Sequence, residues 1–436
     1  MEVTSATSFV WLHLSWRAGD NASMSMTISE APSTALVLSG GGARGAYEAG
    51  VLAGVFDILG PARAGSRAAF DVITGTSVGA ITAAQLAANA DRADHGIPDL
   101  LRYWTSLRLD THLRLRLGRF LGSLPHGLLR KMMRGSGHGP RWGRALIDSR
   151  PLERMVENDP AWGRLHDNIQ RGVVKALIVS ALNVADGRTV SFVELAPGQT
   201  YVPSRDARRE SRIEPITATH VLASAALPLL FPSRPLGSSY FCDGGLRFNT
   251  PISPAIRAGA RKLMIVALRA RHPTSESSDA IEQYPNPIFL LGKILDALLL
   301  DPIDYDLAVV ERLNRMLQAL SAAAPREAVE HVERALTADR GVPYRQVETL
   351  VFRPSKDIGV LALEHMRKHR PRCRDGAAAA LLESLAALGA HVEADLLSYL
   401  LFDGAFAQTL IELGRADARS RQDEVVRFFT RTDAAC

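Results

Sequence analysis

The chain has 436 residues, of which 47% are hydrophobic and 22% charged, and its formal net charge is +5. This composition is typical of a globular protein with a large core, and it excludes a mostly disordered, collagen-like or fibrous chain. At roughly 100–200 residues per domain, the length allows one large domain with an appendage, or two or three domains.

Cysteine usage and hydropathy predict a cytoplasmic protein. Cys242, Cys373 and Cys436 are odd in number and widely spaced, which fits neither a disulfide framework nor a zinc site. No segment reaches the roughly 18 uncharged apolar residues of a membrane-spanning helix. Residues 8–16 are apolar but short and lack a preceding basic stretch, so no secretory signal is predicted. Residues 1–32 are expected to form a poorly ordered N-terminal segment.

Two strand–turn–helix units follow. The apolar run 35–39 stops at three glycines, and a helix of small residues is predicted over Ala46–Leu59. The run 71–75 also stops at a glycine turn, and a second helix is predicted over Val78–Ala90. Two such units in succession predict an α/β fold with a parallel-rich sheet flanked by helices.

Residues 100–170 are predicted to be a cap insertion. From Arg102 to Arg144 there are ten Arg or Lys and one acid, Asp110, interleaved with Leu, Phe and Met. Two interpretations stay open: a helical cap with a solvated basic face, or an element that contacts anionic lipid surfaces. Nucleic acid is not an expected partner, because aromatic residues are few there and no nucleic-acid-binding fold is visible.

The rest of the chain changes from mixed to mostly helical. A turn at Asp186-Gly187 inside the apolar stretch 173–195 predicts a hairpin. Further elements are predicted as helix 216–226, strand 240–242, helix 251–260 and strand 262–268. Helices are then predicted at 287–320, 325–338, 359–369, 376–389, 392–403 and 404–417, with one extended stretch at 347–355. The expected division is therefore a main domain at 33–271 and a helical C-terminal region at 272–436.

The sequence SGGGARG, from Ser39 to Gly45, is the first motif with chemical content. Consecutive glycines after a strand leave backbone amides accessible to negative charge at a helix N-terminus. Gly40, Gly42 and Gly45 match the dinucleotide-binding pattern, although no acid stands at the end of the second strand where that pattern needs one. The alternatives are an oxyanion hole for acyl transfer or a tight turn that needs glycine.

The second motif is GTSVG, Gly75 to Gly79, between a predicted strand and a predicted helix. Such a sharp turn needs the small residues Gly75 and Gly79, so that the Ser77 side chain projects from a strained backbone. The amides at the start of the following helix favour an anionic intermediate near that hydroxyl. A loop serine without function is the plainer interpretation.

A serine nucleophile needs a base, and Asp243 is the candidate. It follows a predicted strand directly and precedes Gly244 and Gly245, which let it approach another backbone closely. By itself Asp-Gly is also an ordinary turn.

These motifs together resemble the patatin-like phospholipase family. GGGARG, GTSVG and DGG occur in that family's order, and residues 223–232, ASAALPLLFP, resemble its small-residue helix with a following Pro-x-x-Phe-Pro. The resemblance covers roughly 34–270 and implies a patatin-like sheet. It implies a catalytic pair without histidine, in which Ser77 is the nucleophile and Asp243 the base. It also implies that the reaction needs neither a metal nor another cofactor. It also implies an oxyanion hole at Gly40, Gly41 and Gly42, with Arg44 helping to order or charge the loop.

The activity implied is hydrolysis of acyl esters in phospholipids or lysophospholipids, with peripheral contact to anionic membranes. Two alternatives stay open. One is a Ser–Asp–His esterase or thioesterase, in which His272 or another downstream histidine completes a triad. The other is a non-enzymatic nucleotide-binding module that uses the glycine loop.

Overall fold

The computed structural model describes residues 33–60, 69–108, 111, 114–115, 147–158, 161–228, 230–270, 302–369 and 393–430. The predictions for residues 1–32, for the helix at 376–389, for the first part of the helix at 287–320 and for most of the basic stretch lie outside these ranges. The same is true of Cys373, Cys436 and His272.

The described residues contain eleven strands: β1 Ser33–Leu38, β2 Val72–Thr76, β3 Arg114–Leu115, β4 Ile147–Asp148, β5 Ala176–Asn183, β6 Thr189–Leu195, β7 Arg209–Ile213, β8 Arg234–Leu236, β9 Ser239–Asp243, β10 Ala260–Val266 and β11 Glu348–Phe352. Nine of them form one mixed sheet, in the order β11-β10-β1-β2-β5-β6-β7, with β9 paired to β5 and β8 paired to β9. The five strands from β11 to β5 are mutually parallel. The pairs β5–β6, β5–β9 and β8–β9 are antiparallel, and β7 pairs in parallel with β6. Strands β3 and β4 form a separate antiparallel pair.

The described residues also contain fourteen α-helices and a short 3-10 helix, Gly42–Gly45. They are α1 Ala46–Leu59, α2 Val78–Ala88, α3 Ala93–Ser106, α4 Arg150–Glu157, α5 Ala161–Gln170, α6 Ala218–Ser224, α7 Gly245–Phe248, α8 Ile252–Arg257, α9 Pro302–Ala323, α10 Arg326–Arg340, α11 Ile358–Lys368, α12 Glu393–Leu400, α13 Gly404–Ser420 and α14 Gln422–Thr430. None of these helices is both long and apolar enough to cross a membrane.

The central strands are buried on both faces. Leu36 and Leu38 of β1 belong to the core on one side of the sheet, and Ala35 and Val37 belong to the core on the other. Alternate residues of a strand point to opposite faces, so helices must cover both sides. The predicted α/β architecture, a mostly parallel sheet flanked by helices with a helical C-terminal region, is confirmed.

The predicted hairpin at 173–195 is confirmed as the antiparallel pair β5–β6. The strands β7 and β8 and the helix α14 were not predicted from the sequence. Helix α2 ends at Ala88, two residues earlier than predicted, where the Asn89 amide donates to the Leu86 carbonyl. The predicted elements that position the loops at the carboxyl ends of β1 and β2 are all present.

The C-terminal residues return to the same sheet and the same helices. Strand β11 pairs in parallel with β10. Helix α13 lies on α1, where the Tyr47 hydroxyl donates to Asp417 Oδ2 at 3.0 Å. A Cβ on Gly50 would collide with the Ile411 carbonyl, so the two backbones touch. The division at residues 271 and 272 stays a prediction, but the described parts on either side of it share one core.

Candidate active site

Ser77 occupies a sharp turn between β2 and α2. Its φ of 57° and ψ of −126° make it the one non-glycine residue with positive φ in the described ranges. A Cβ on Gly75 would collide with the Gly79 carbonyl, and one on Gly79 would lie 2.7 Å from the Leu38 carbonyl oxygen. The two glycines predicted to support the turn are therefore required by its geometry. The strained backbone holds the Ser77 side chain in one direction.

A second serine, Ser224, holds the backbone of this turn by a hydrogen bond. The Ser77 amide donates to Ser224 Oγ at 2.9 Å, and Ser224 Oγ donates to the Ser180 carbonyl at 2.6 Å. Ser224 is fully buried at the end of α6. Its hydroxyl joins the turn at Ser77 to β5. No feature of the sequence around Ser224 indicated this role.

Asp243 is the last residue of β9 and is 2% exposed. Its amide donates to the Ala226 carbonyl at 2.9 Å, and the Gly245 amide donates to Asp243 Oδ1 at 2.7 Å. A Cβ on Gly244 would collide with the Ser180 carbonyl, so only glycine lets this turn approach β5 so closely.

Burial raises the pKa of the Asp243 carboxyl to about 6, while hydrogen bonds from the Ser77 side chain and the Gly245 backbone act in the opposite direction. The carboxylate is therefore both the partner of the serine and a better proton acceptor than an exposed aspartate. Burial, followed by the charge of Asp243, raises the pKa of the neighbouring Cys242 thiol to about 12. That thiol stays protonated and is a core residue.

The three predicted oxyanion-hole glycines differ in their surroundings. The Gly40 amide donates to Asn249 Oδ1 at 2.9 Å, and Asn249 Nδ2 donates back to the Gly40 carbonyl at 3.0 Å. Gly41 and Gly42 instead line the cavity that contains Ser77 and Asp243. The structure therefore brings all three glycines to the site, with Gly40 held by Asn249 and the next two facing the cavity.

Arg44 is not among the residues that line the cavity with Ser77. Its side chain is 3% exposed, Nε donates to Ser398 Oγ at 2.7 Å, and the guanidinium carbon lies 4.2 Å from the centre of the Tyr399 ring. Both partners belong to α12 in the C-terminal region. These contacts join Arg44 to the C-terminal region, and its predicted role in ordering or charging the glycine loop stays a prediction.

A cavity of about 60 Å³ opens above Ser77 and has mostly apolar walls. The apolar residues that line it are Val78, Ile81, Tyr103, Trp104, Leu107, Leu152, Leu222, Ala225, Ala226, Leu227, Leu230, Phe231, Pro232, Tyr399, Leu400 and Phe402. Its polar lining beyond the serine, the aspartate and the glycines is a buried group in which Glu153 pairs with Arg234 and accepts from the Ser149 hydroxyl. Apolar walls of this kind suit an apolar part of a ligand, such as an acyl chain.

The described residues that line the cavity include no histidine. The described ranges also contain no group of three or more His, Cys, Asp or Glu side chains that could hold a metal ion. The site thus consists of a serine, an aspartate and the residues Gly41 and Gly42, which line one largely apolar cavity.

The model of the patatin-like phospholipase family matches residues 36–256, just over half of the chain. A cGAMP-activated phospholipase of Pseudomonas aeruginosa (strain BWHPSA011 / Pa011) is 30% identical over 218 residues, which are 50% of this chain and 53% of that protein. The chain therefore spans about half the length of this curated relative.

Two solved structures are similar at low identity. VipD from Legionella pneumophila is 12% identical, with 93% of each chain covered and a TM-score of 0.28. ExoU, in its complex with SpcU from the type III secretion system of Pseudomonas aeruginosa, is 17% identical, with 85% of this chain and 75% of that chain covered and a TM-score of 0.24. Both likenesses are weak and do not bear on which residues react.

Proposed function

The chain belongs to the patatin-like phospholipase family, and we propose that it hydrolyses acyl esters of phospholipids or lysophospholipids with Ser77 as nucleophile and Asp243 as base. The observation that carries the proposal is the interaction of the Ser77 and Asp243 side chains in a cavity that Gly41 and Gly42 also line. All four residues line one apolar cavity, in which a carboxyl of raised pKa interacts with a serine hydroxyl.

In the first half of the proposed reaction, Asp243 accepts the Ser77 proton while Oγ bonds to the ester carbonyl carbon. The tetrahedral oxyanion accepts hydrogen bonds from the Gly41 and Gly42 amides, which are fixed before the charge develops. The C–O bond then breaks, and the leaving alcohol takes the proton from Asp243. In the second half, Asp243 accepts a proton from water, the resulting hydroxide attacks the acyl-enzyme, and Ser77 regains its proton as the fatty acid leaves.

The walls of the cavity support an acyl chain as the substrate group that it binds. We propose, further, that the basic residues between Arg102 and Arg144 contact anionic lipid headgroups, which keeps a cytoplasmic enzyme at the surface where its substrate lies. Each basic residue near an anionic bilayer contributes about 1 kcal/mol, and the attraction is screened by salt.

Labelling with a fluorophosphonate tests the chemistry of the site. The probe should modify Ser77, as located by peptide mass spectrometry, and the parent should hydrolyse phosphatidylcholine vesicles or lysophosphatidylcholine micelles. Ser77→Ala should lose both signals, while Ser238→Ala, at an exposed turn residue, should keep them. A label on another residue would overturn the assignment of the nucleophile. A histidine whose replacement removes activity as fully as loss of Ser77 would favour a triad instead.

A further inference from the structure

We propose that the segment Ser398–Phe402 completes the active site and that Tyr399 is a positioning residue for the glycine loop. This inference rests on the proposed function and extends it to a part of the chain far in sequence from the catalytic motifs. Helix α12 ends at Leu400 and α13 begins at Gly404, so the segment comprises the last three residues of α12 and the first two of the short connection to α13. It lies directly on the 3-10 helix that starts at Gly42.

Each of the three loop glycines is held by a different element of the fold. Gly40 is held by the two hydrogen bonds with Asn249. Gly41 is backed by the side chain of Leu268, which a Cβ at that position would strike. Gly42, with φ of +57°, faces the backbone of Tyr399, whose carbonyl a Cβ would strike. Of the two glycines that line the cavity, one is therefore positioned by the C-terminal region.

Arg44 adds a second connection between the loop and this segment. Its Nε donates to Ser398 Oγ, and its guanidinium lies over the Tyr399 ring at 4.2 Å. Arg44 and Ser398 are both almost completely buried, so water does not compete for these contacts. The guanidinium of Arg44 is thus used for contacts that hold the loop, and it is not exposed to bulk water.

The same segment also forms part of the cavity wall. Tyr399, Leu400 and Phe402 line the cavity, and the Phe402 ring stacks on Trp104 with the ring centres 6.5 Å apart and an angle of 6° between planes. A shift of the segment would therefore change the walls and the oxyanion loop together. This coupling gives a residue in the C-terminal region an effect on turnover without any contact to the reacting atoms.

Replacement of Tyr399 tests the proposal. Tyr399→Leu removes the ring under Arg44, and Tyr399→Phe keeps it. Tyr344→Leu is the matched control, because Arg340 lies over that ring at 4.4 Å outside the cavity lining. We expect Tyr399→Leu to lower kcat on a short-chain ester roughly 10–100-fold with KM changed less than about threefold, since misplacement by about 1 Å costs rate more than binding. Tyr399→Phe should recover most of the rate, and Tyr344→Leu should match the parent.

Amide hydrogen exchange over Gly40–Ala46 supplies a readout that does not depend on hydrolysis. Tyr399→Leu should accelerate exchange in this loop, and the phenylalanine variant should not. An unchanged kcat and unchanged exchange in Tyr399→Leu would overturn the inference, and so would a loss that appears only in KM. A parent without ester hydrolysis, but with a loop loosened by Tyr399→Leu, would refute the proposed function and leave the positioning role intact.

Discussion

Thr76 and Asp243 pair with consecutive residues of β5, Ser180 and Ala181. The strands that contain them, β2 and β9, run in opposite directions along the same strand and end against each other. Ser77 follows Thr76 immediately, so this arrangement brings the serine and the aspartate together from 166 positions apart in the sequence. A register shift of one residue would turn the Asp243 side chain to the opposite face of the sheet, because side chains alternate along a strand.

Substitution of either member of this pair should abolish ester hydrolysis. We expect Ser77→Ala and Asp243→Asn each to lower kcat by at least about 10³-fold, because neither group acts without the other. The double variant should be little worse than either single one. Steady-state kinetics on a short-chain ester, with circular dichroism to verify folding, measure this. Additive losses in the double variant would show that the two residues do not act together.

The pH dependence of activity should report the Asp243 carboxyl. Its pKa is raised to about 6 by burial, and only the ionised form accepts the serine proton. We therefore expect kcat/KM to rise as the pH passes about 6 and to level off above it. A profile that is flat from pH 5 to pH 8 would mean that a group other than Asp243 limits the reaction.

The raised pKa also makes Asp243 a cost to stability at neutral pH. The pKa of this carboxyl is about 6 in the folded protein and 3.8 in the unfolded chain, so the folded state binds its proton more tightly. Relative to neutral pH, this proton binding stabilises the folded protein fully below pH 3.8, and the contribution is lost as the pH rises through about 6. Asp243→Asn should raise the free energy of unfolding at pH 8 by up to roughly 3 kcal/mol, because a tenfold change in proton affinity corresponds to about 1.4 kcal/mol, and by less at pH 5. Urea unfolding at both pH values measures the difference. A variant less stable than the parent at pH 8 would contradict the direction.

The strained backbone of Ser77 makes a separate prediction. Its φ of 57° lies where glycine is favoured, and such a conformation costs a non-glycine residue on the order of 1–3 kcal/mol. Ser77→Gly and Ser77→Ala should both be inactive, but the glycine variant should unfold at higher denaturant concentration. Equal midpoints for the two variants would mean that the turn is not strained.

The sequence predicts the elements whose signals are local. The strands that contain residues 35–39 and 71–75 are continuous apolar runs that end at glycines, and helix α1 follows a glycine turn. The positions of Ser77 and Asp243 in their turns followed from the resemblance and the flanking glycines. The hairpin at 173–195 was marked by its Asp-Gly turn.

Other features depend on contacts between distant segments and have no local signal. The anchoring of Gly40 by Asn249 joins residues 209 positions apart, and that of Arg44 by Ser398 joins residues 354 apart. Strand β7 has residues that are mostly half-buried and include Arg209 and Glu210, so it lacks the apolar pattern of a core strand. Its position at the edge of the sheet is decided by its pairing with β6.

Asn249 should affect turnover, although the sequence does not single it out. Asn249→Ala removes both hydrogen bonds to Gly40 and leaves a buried amide and carbonyl without these partners. We expect kcat to fall about 10-fold to 100-fold, because the next two amides then lose their fixed direction. Kinetics on a short-chain ester measure the loss, with Asn314→Ala as a control, since Asn314 makes a similar pair of bonds with Val347 outside the cavity lining. Equal kcat values for the two variants would contradict a role for Asn249 in the loop.

The close contact between α1 and α13 should attach the C-terminal region firmly to the sheet domain. Gly50→Ala would drive a methyl group into the Ile411 carbonyl, and Gly414 is packed equally closely on Tyr47, so neither helix backbone has room to move. Overpacking of this kind costs typically about 1–3 kcal/mol. Gly163→Ala in α5 is the matched control, because nothing lies within 4 Å of the added methyl group and alanine favours a helix by about 1 kcal/mol. We expect Gly50→Ala to lower the unfolding midpoint and Gly163→Ala to raise it slightly. If α13 were only loosely attached to the sheet domain, Gly50→Ala would be tolerated as well as Gly163→Ala.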